Sequence, residues 1–65
     1  MNKRQKNLEI LKKNYDKAAA IVESGNWSQE AIDRATAARM VWAGYATWVD
    51  SNPPAGATHP TEEFL

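Results

Sequence analysis

The residues of this chain that can bind a ligand are two arginines, the lysines of its N-terminal third and a set of aromatic rings. Arg34 and Arg39 are the only basic residues in a segment rich in alanine and aromatic side chains. An arginine can donate two hydrogen bonds to one phosphate, and its guanidinium plane can stack on a ring. The side chains suited to stacking on a purine are Tyr15, Trp42, Tyr45 and Trp48. The sequence therefore allows a nucleotide site whose candidate ligand-binding residues are Lys12, Tyr15, Arg34 and Arg39.

A purely structural role explains the same residues. Aromatic residues at helical spacing usually pack in a core, and Arg34 can pair with Glu30, four residues earlier on the same helix face. Three tryptophans in 65 residues also fit an interface with aromatic anchors. Both interpretations stay open at the level of the sequence.

Groups that could perform catalysis are scarce. The chain has no cysteine, and its single histidine, His59, lies among the prolines near the C-terminus. A nucleophile needs a nearby base and an orienting group. Glu62 and Glu63 are adjacent in a segment expected to be extended, so their side chains diverge. With neither a glycine-rich phosphate loop nor metal-ligand spacing, we expect no catalytic residue, no metal site and no cofactor.

Two helices must position the candidate residues. Over residues 5–24, apolar side chains recur at spacings of three and four, which predicts a first helix after a frayed N-terminus at residues 1–4. Gly25 suits a left-handed helix cap, and either Asn26 or Ser28 can cap a second helix over residues 28–50. The short connection predicts an antiparallel αα-hairpin.

The second helix is apolar on more sides than one hairpin can cover. Its main stripe is small near the turn and bulky at the far end. Three large apolar residues lie outside that stripe and are the predicted oligomer interface: Met40, Val41 and Trp48. A chain this short has a marginal core and gains stability from self-association. The predicted fold class is all-α: an antiparallel two-helix hairpin (residues 1–50) that assembles into a helical-bundle oligomer, with an extended proline-rich tail (residues 51–65).

Charge is balanced overall but unevenly distributed. Residues 1–17 hold six basic and two acidic side chains (+4), and residues 18–65 hold two basic and six acidic ones (−4). Such asymmetry can draw an anionic ligand toward one end, although a solvated helix face explains it as well. We also expect no signal peptide and no membrane span, which predicts a cytoplasmic protein.

A family resemblance rests on the turn and the second helix. Trp27, then Ala31, Asp33-Arg34 and Met40-Val41-Trp42-Ala43 form a layout that resembles the hairpin domain of phage anti-CBASS and anti-Thoeris sponge proteins, which sequester cyclic nucleotide signals. The resemblance covers residues 5–50 and leaves the tail unmatched. It implies an oligomer with nucleotide-binding pockets between subunits and no catalysis, in the host cytoplasm if the chain is phage-encoded.

Three functions follow from the sequence as hypotheses. The first is a non-enzymatic helical oligomer that binds and sequesters a cyclic nucleotide immune signal. The second is a small adaptor or inhibitor that binds a host protein through its aromatic face. The third is RNA binding, since the architecture also resembles the plasmid copy-number RNA modulator, a hairpin that dimerises into a four-helix bundle. Lysines of the first helix would then contact the RNA backbone, but zero net charge weighs against strong nucleic-acid affinity.

Overall fold

The computed structural model describes residues 2–65, which form two long helices and one short one. Helix α1 spans Lys3–Glu23 and helix α2 spans Gln29–Asp50, and a 3-10 helix follows at Pro60–Phe64. The start of α1 packs against the end of α2, so the two helices are antiparallel. The predicted all-α hairpin is confirmed, with helix bounds within two residues of those read from the sequence.

Helix α1 is capped by side chains and backbone groups at both ends. The Asn2 side-chain oxygen accepts a hydrogen bond from the Gln5 backbone N–H at 2.8 Å. At the other end Gly25 has φ 111°, and its N–H donates to the Val22 carbonyl at 3.1 Å. The next N–H, of Asn26, donates to the Ile21 carbonyl at 3.3 Å, which completes a Schellman motif. The helix therefore ends at this position because Gly25 can adopt the positive φ that the motif requires.

Of the two residues proposed to cap α2, Ser28 is the one that does so. Its hydroxyl accepts a hydrogen bond from the Ala31 N–H at 3.2 Å. The Asn26 side chain instead accepts from the Ser28 N–H, within the turn, at 3.3 Å. Together the two polar residues satisfy backbone donors that a tight helix–helix connection would otherwise leave without partners.

The end of α2 turns the chain back toward the hairpin. Asn52 adopts a left-handed conformation with φ 56°, and its N–H donates to the Val49 carbonyl at 3.0 Å. Asparagine tolerates this conformation better than most residues. Pro53 follows and has no N–H to donate, so helical hydrogen bonding cannot continue.

The core of the hairpin is thin. Leu11, Ala18 and Tyr45 are the only apolar residues between 2 and 65 that are buried, and Tyr45 is 0% exposed. The rings of Tyr15 and Trp42 stack at the level between Leu11 and Ala18, with centroids 5.8 Å apart and planes 7° apart. Side-chain size in the core therefore decreases toward the turn, as the stripe of α2 predicts.

The tail differs from the extended segment expected from the sequence, because it contains the 3-10 helix. Pro60 sits at the start of this helix, where its fixed φ is favourable and its missing N–H costs nothing. The His59 Nδ1 accepts a hydrogen bond from the Thr61 N–H at 3.1 Å and so caps the helix. Glu62, expected to diverge from Glu63, is half-buried against the hairpin.

Two glycine substitutions should change stability in opposite directions. An added Cβ meets nothing within 4 Å at either Gly25 or Gly44, so backbone conformation alone distinguishes them. Gly25→Ala should lower the free energy of unfolding by about 1 kcal/mol, because φ is positive there. Gly44→Ala, inside α2, should raise it by about 0.5–1 kcal/mol through helix propensity. Urea unfolding measures both changes in the free energy of unfolding. A change in the same direction for both variants would contradict the cap geometry at Gly25.

Candidate functional site

Lys12 and Tyr15, two of the predicted ligand-binding residues, come together beside Trp42. The Lys12 Nζ lies 5.5 Å from the centroid of the Tyr15 ring and 5.2 Å from that of the Trp42 ring. The same ammonium group forms an ion pair with Asp16 at 2.6 Å. These positions follow from helical spacing, since residues three or four apart on a helix are neighbours. The result is a stacked pair of rings with a cation over both.

Arg39, the third predicted residue, lies on the same flank and lines an open groove with Tyr15. The groove has a volume of about 290 Å³ and is walled by small or apolar side chains that include Val22, Ile32 and Ala35. The Trp27 indole, 69% exposed, lines it on the turn side. We call Lys12, Tyr15, Trp27, Arg39 and Trp42 the aromatic–basic face.

The charges of this groove are mixed. Arg39 is exposed and forms no ion pair with any residue that the structure describes, so its five N–H donors face solvent. Glu23 lines the same groove and adds a carboxylate that can accept hydrogen bonds. A ligand that fits both groups has an anionic part for Arg39 and N–H donors for Glu23.

Arg34, the fourth predicted residue, lies apart from the other three. Arg39 lies five positions further along α2, which places the two side chains about 140° apart around the helix. The Arg34 guanidinium donates to Glu30 at 3.1 Å, the pair that the four-residue spacing predicts. Arg34 lines a different hollow, of about 230 Å³, together with Ala18 and Ile21.

The three residues predicted to form an oligomer interface differ in their exposure. Met40 is 69% exposed and Val41 is 42% exposed. Trp48 is half-buried inside the chain, where the Arg4 Cζ lies 4.9 Å from its ring centroid and the His59 ring lies 5.3 Å away. Much of the Trp48 ring is therefore covered by the chain itself, and assembly through Met40 and Val41 stays a prediction.

Arg4 holds the tail against the hairpin, although residues 1–4 were expected to fray. Its guanidinium donates to the carbonyls of Pro53 at 3.0 Å, Pro54 at 2.6 Å and Ala57 at 3.3 Å. These carbonyls lie beyond the end of α2, where no helix satisfies them. The signal in the sequence is indirect: an antiparallel hairpin brings the start of α1 next to the residues that follow α2.

Tyr45 connects both helices to the tail through its hydroxyl. The buried Asn7 amide donates to the Tyr45 oxygen at 3.2 Å, and the Tyr45 hydroxyl donates to the Glu62 carboxylate at 3.1 Å. The His59 ring meets the Tyr45 ring edge to face, with centroids 5.5 Å apart. The sequence did not point to Asn7 or Glu62 as partners, since residues 38 and 17 positions from Tyr45 are joined only by the fold.

Burial raises the pKa of the Tyr45 phenol above its usual value of 10.0. The hydrogen bond to Glu62 and the negative charge of that carboxylate raise the pKa further, while Asn7 and Arg4 act in the opposite direction. The phenol is therefore held neutral, as a hydrogen-bond donor, well into the alkaline range. Its role in this network is to fix the tail.

Comparisons with known proteins give no relative for this chain. The chain matches no family model, no curated protein and no solved structure. Within residues 2–65, no group of three acidic, histidine or cysteine side chains is placed to hold a metal ion. Over the same residues, neither helix has the length and hydropathy needed to cross a membrane.

Removal of the Tyr45 hydroxyl should destabilise the fold and alter its pH dependence. Tyr45→Phe leaves the buried Asn7 amide without its partner, which should lower the free energy of unfolding by about 1–3 kcal/mol. The folded chain binds the phenol proton more tightly than the unfolded chain, so this group lowers stability only as the pH rises above about 10.

Urea unfolding between pH 8 and about 11 tests both effects. Tyr45→Phe should lose part of the alkaline fall in stability that the wild type shows. Tyr15→Phe is the matched control and should keep it. An identical alkaline fall in Tyr45→Phe and wild type would show that this phenol is not the group responsible.

Loss of the Arg4 donors should release the tail. Arg4→Met keeps most of the aliphatic stem but removes the three hydrogen bonds that the guanidinium donates to the carbonyls of Pro53, Pro54 and Ala57. Hydrogen exchange of the Ala57 and Glu62 amides, which donate to Pro54 and His59, should accelerate by about tenfold or more. Lys6→Met, an exposed change on the same helix, should leave both amides protected.

Proposed function

We propose that this chain binds a small nucleotide on the aromatic–basic face and holds it without converting it. The observation that supports this function is the groove lined by Tyr15, Arg39 and the exposed Trp27 indole, with the Lys12 ammonium group 5.5 Å from the Tyr15 ring centroid. Exposed rings offer stacking surfaces for a base, and an arginine with free donors suits a phosphate. Glu23 suits the N–H groups on the edge of the base.

The size of the groove indicates how much of the ligand one copy would hold. Its volume of about 290 Å³ lies at the lower limit of the roughly 300–1,000 Å³ found for small-molecule pockets. One groove therefore suits one nucleotide unit. A ligand of two nucleotide units, within the cyclic nucleotide class that the family resemblance implies, would extend beyond one groove.

Sequestration without turnover is part of the same proposal. The chain offers no thiol, and the Nδ1 of its single histidine is already engaged as a helix cap at 3.1 Å from the Thr61 nitrogen. The Glu62 carboxylate is likewise engaged by Tyr45. Both of these groups lie with the tail, and the aromatic–basic face holds rings and cations. Such residues bind and orient a phosphate ester more readily than they hydrolyse it.

Calorimetric titration with cyclic AMP, cyclic di-AMP and uncharged adenosine tests the proposal. We expect heat with the cyclic nucleotides and weaker binding of adenosine. Arg39→Gln should raise the dissociation constant about tenfold or more, because a hydrogen bond to a charged group is worth about 1.5–3 kcal/mol. Arg34→Gln is the matched control, since it removes the same charge from the other flank of the same helix.

Two results would overturn the nucleotide proposal. The first is an absence of heat with both cyclic nucleotides. The second is an equal loss of affinity in Arg34→Gln and Arg39→Gln, which would indicate general attraction by positive charge and no specific groove. Quenching of Trp27 fluorescence on binding, lost in Trp27→Leu, would locate the base against the indole.

A second candidate function is that of a small helical adaptor for a protein partner. The observation that favours it is the large apolar side chains that remain exposed, of which Met40, 69% exposed, does not line the groove. Exposed apolar side chains of this size are typical of interaction surfaces. The two functions are distinguished by Met40→Lys, which should leave nucleotide titrations unchanged and abolish the binding of a protein partner.

A further inference from the structure

The flank opposite the aromatic–basic face carries a second groove, of about 340 Å³, between the hairpin and the tail. Leu11, Ala37, Ala38 and Val41 form its helical walls, and Phe64 and Leu65 border it on the tail side. Phe64 is 87% exposed, the largest exposed fraction among the large apolar residues described. An apolar groove and an exposed phenyl ring thus lie side by side on one surface.

We propose that a second copy of this chain docks on this flank, with the Phe64 ring of each copy seated in the groove of the other. Because the ring and the groove adjoin, a single two-fold axis between them makes both contacts at once. This surface is independent of the proposed nucleotide face, which lies on the other side of the hairpin.

The exposed area of the single chain supports a second copy as the occupant. A monomeric globular protein of 7.3 kDa is expected to expose about 4,200 Å². This chain exposes 4834 Å². The excess, about 600 Å², is close to the 600–800 Å² that each partner covers in a specific interface of small to standard size.

The chemistry of the groove favours an uncharged partner surface. The helical residues that line it are apolar apart from the Asn14 amide, and the tail contributes only Thr61, Phe64 and Leu65. No charged side chain lines it, so seating a phenyl ring there removes no charged side chain of the groove from water. Val41, 42% exposed, would be covered in this dimer, while Met40 does not line the groove and Trp48 already packs against Arg4 and His59.

Sedimentation velocity of the full chain over a range of concentrations tests the dimer. The wild type should sediment as twice 7.3 kDa at high concentration and dissociate on dilution. Phe64→Ser should raise the dimer dissociation constant by about tenfold or more, since it removes the aromatic anchor. Phe64 is almost fully exposed in the single chain, so helix content by circular dichroism should not change.

A pair of alanine substitutions keeps the test independent of Phe64. Ala37 and Ala43 are both exposed residues of α2, but only Ala37 lines the groove. Ala37→Glu should weaken the dimer by a similar factor, and Ala43→Glu should leave it intact. A monomer at every concentration, or a dimer that survives Phe64→Ser or Ala37→Glu unchanged, would overturn the proposal. Cyclic AMP titrations of Phe64→Ser should match the wild type whichever result is obtained.

Discussion

The arrangement of this chain depends on one buried side chain, Tyr45. It is fully buried, it belongs to α2, and its hydroxyl is joined to Asn7 of α1 and to Glu62 of the tail. A hairpin with so few buried apolar residues has little stability of its own. The hydrogen bonds of the Tyr45 hydroxyl and of Arg4 attach the tail to the two helices as a third packed segment. The tail is thereby a structural part of the domain.

The position of the tail makes the two flanks of the hairpin chemically different. On one flank His59 of the tail packs against Trp48, and an apolar groove without charged side chains lies beside Phe64. The other flank stays open, and there the stacked Tyr15 and Trp42 rings lie near Lys12, Arg39 and the exposed Trp27. Rings and cations on an open flank suit an anionic planar ligand, whereas an apolar groove suits another apolar surface. The two flanks therefore correspond to the two sites that we propose, one for a nucleotide and one for a second copy of the chain.

Much of the hairpin could be predicted from local signals. Gly25 and Ser28 end α1 and begin α2 because glycine accepts a positive φ and serine accepts a backbone hydrogen bond. The approach of Lys12 and Tyr15, and the pairing of Arg34 with Glu30, also follow from helical periodicity. The separation of Arg34 from Arg39 is present in the sequence too, as an angle around the helix, although residue type alone grouped the two arginines in one site.

The sequence by itself determined the two helices, their caps, their antiparallel order and the side on which each residue of a helix lies, because these depend on neighbours within a few residues. Only the tertiary structure decided the course of the tail. Its contacts join Arg4 to residues 53–57 and Tyr45 to Glu62, and no local pattern specifies such pairs. The course of the tail places the His59 ring against Trp48 and leaves Phe64 exposed.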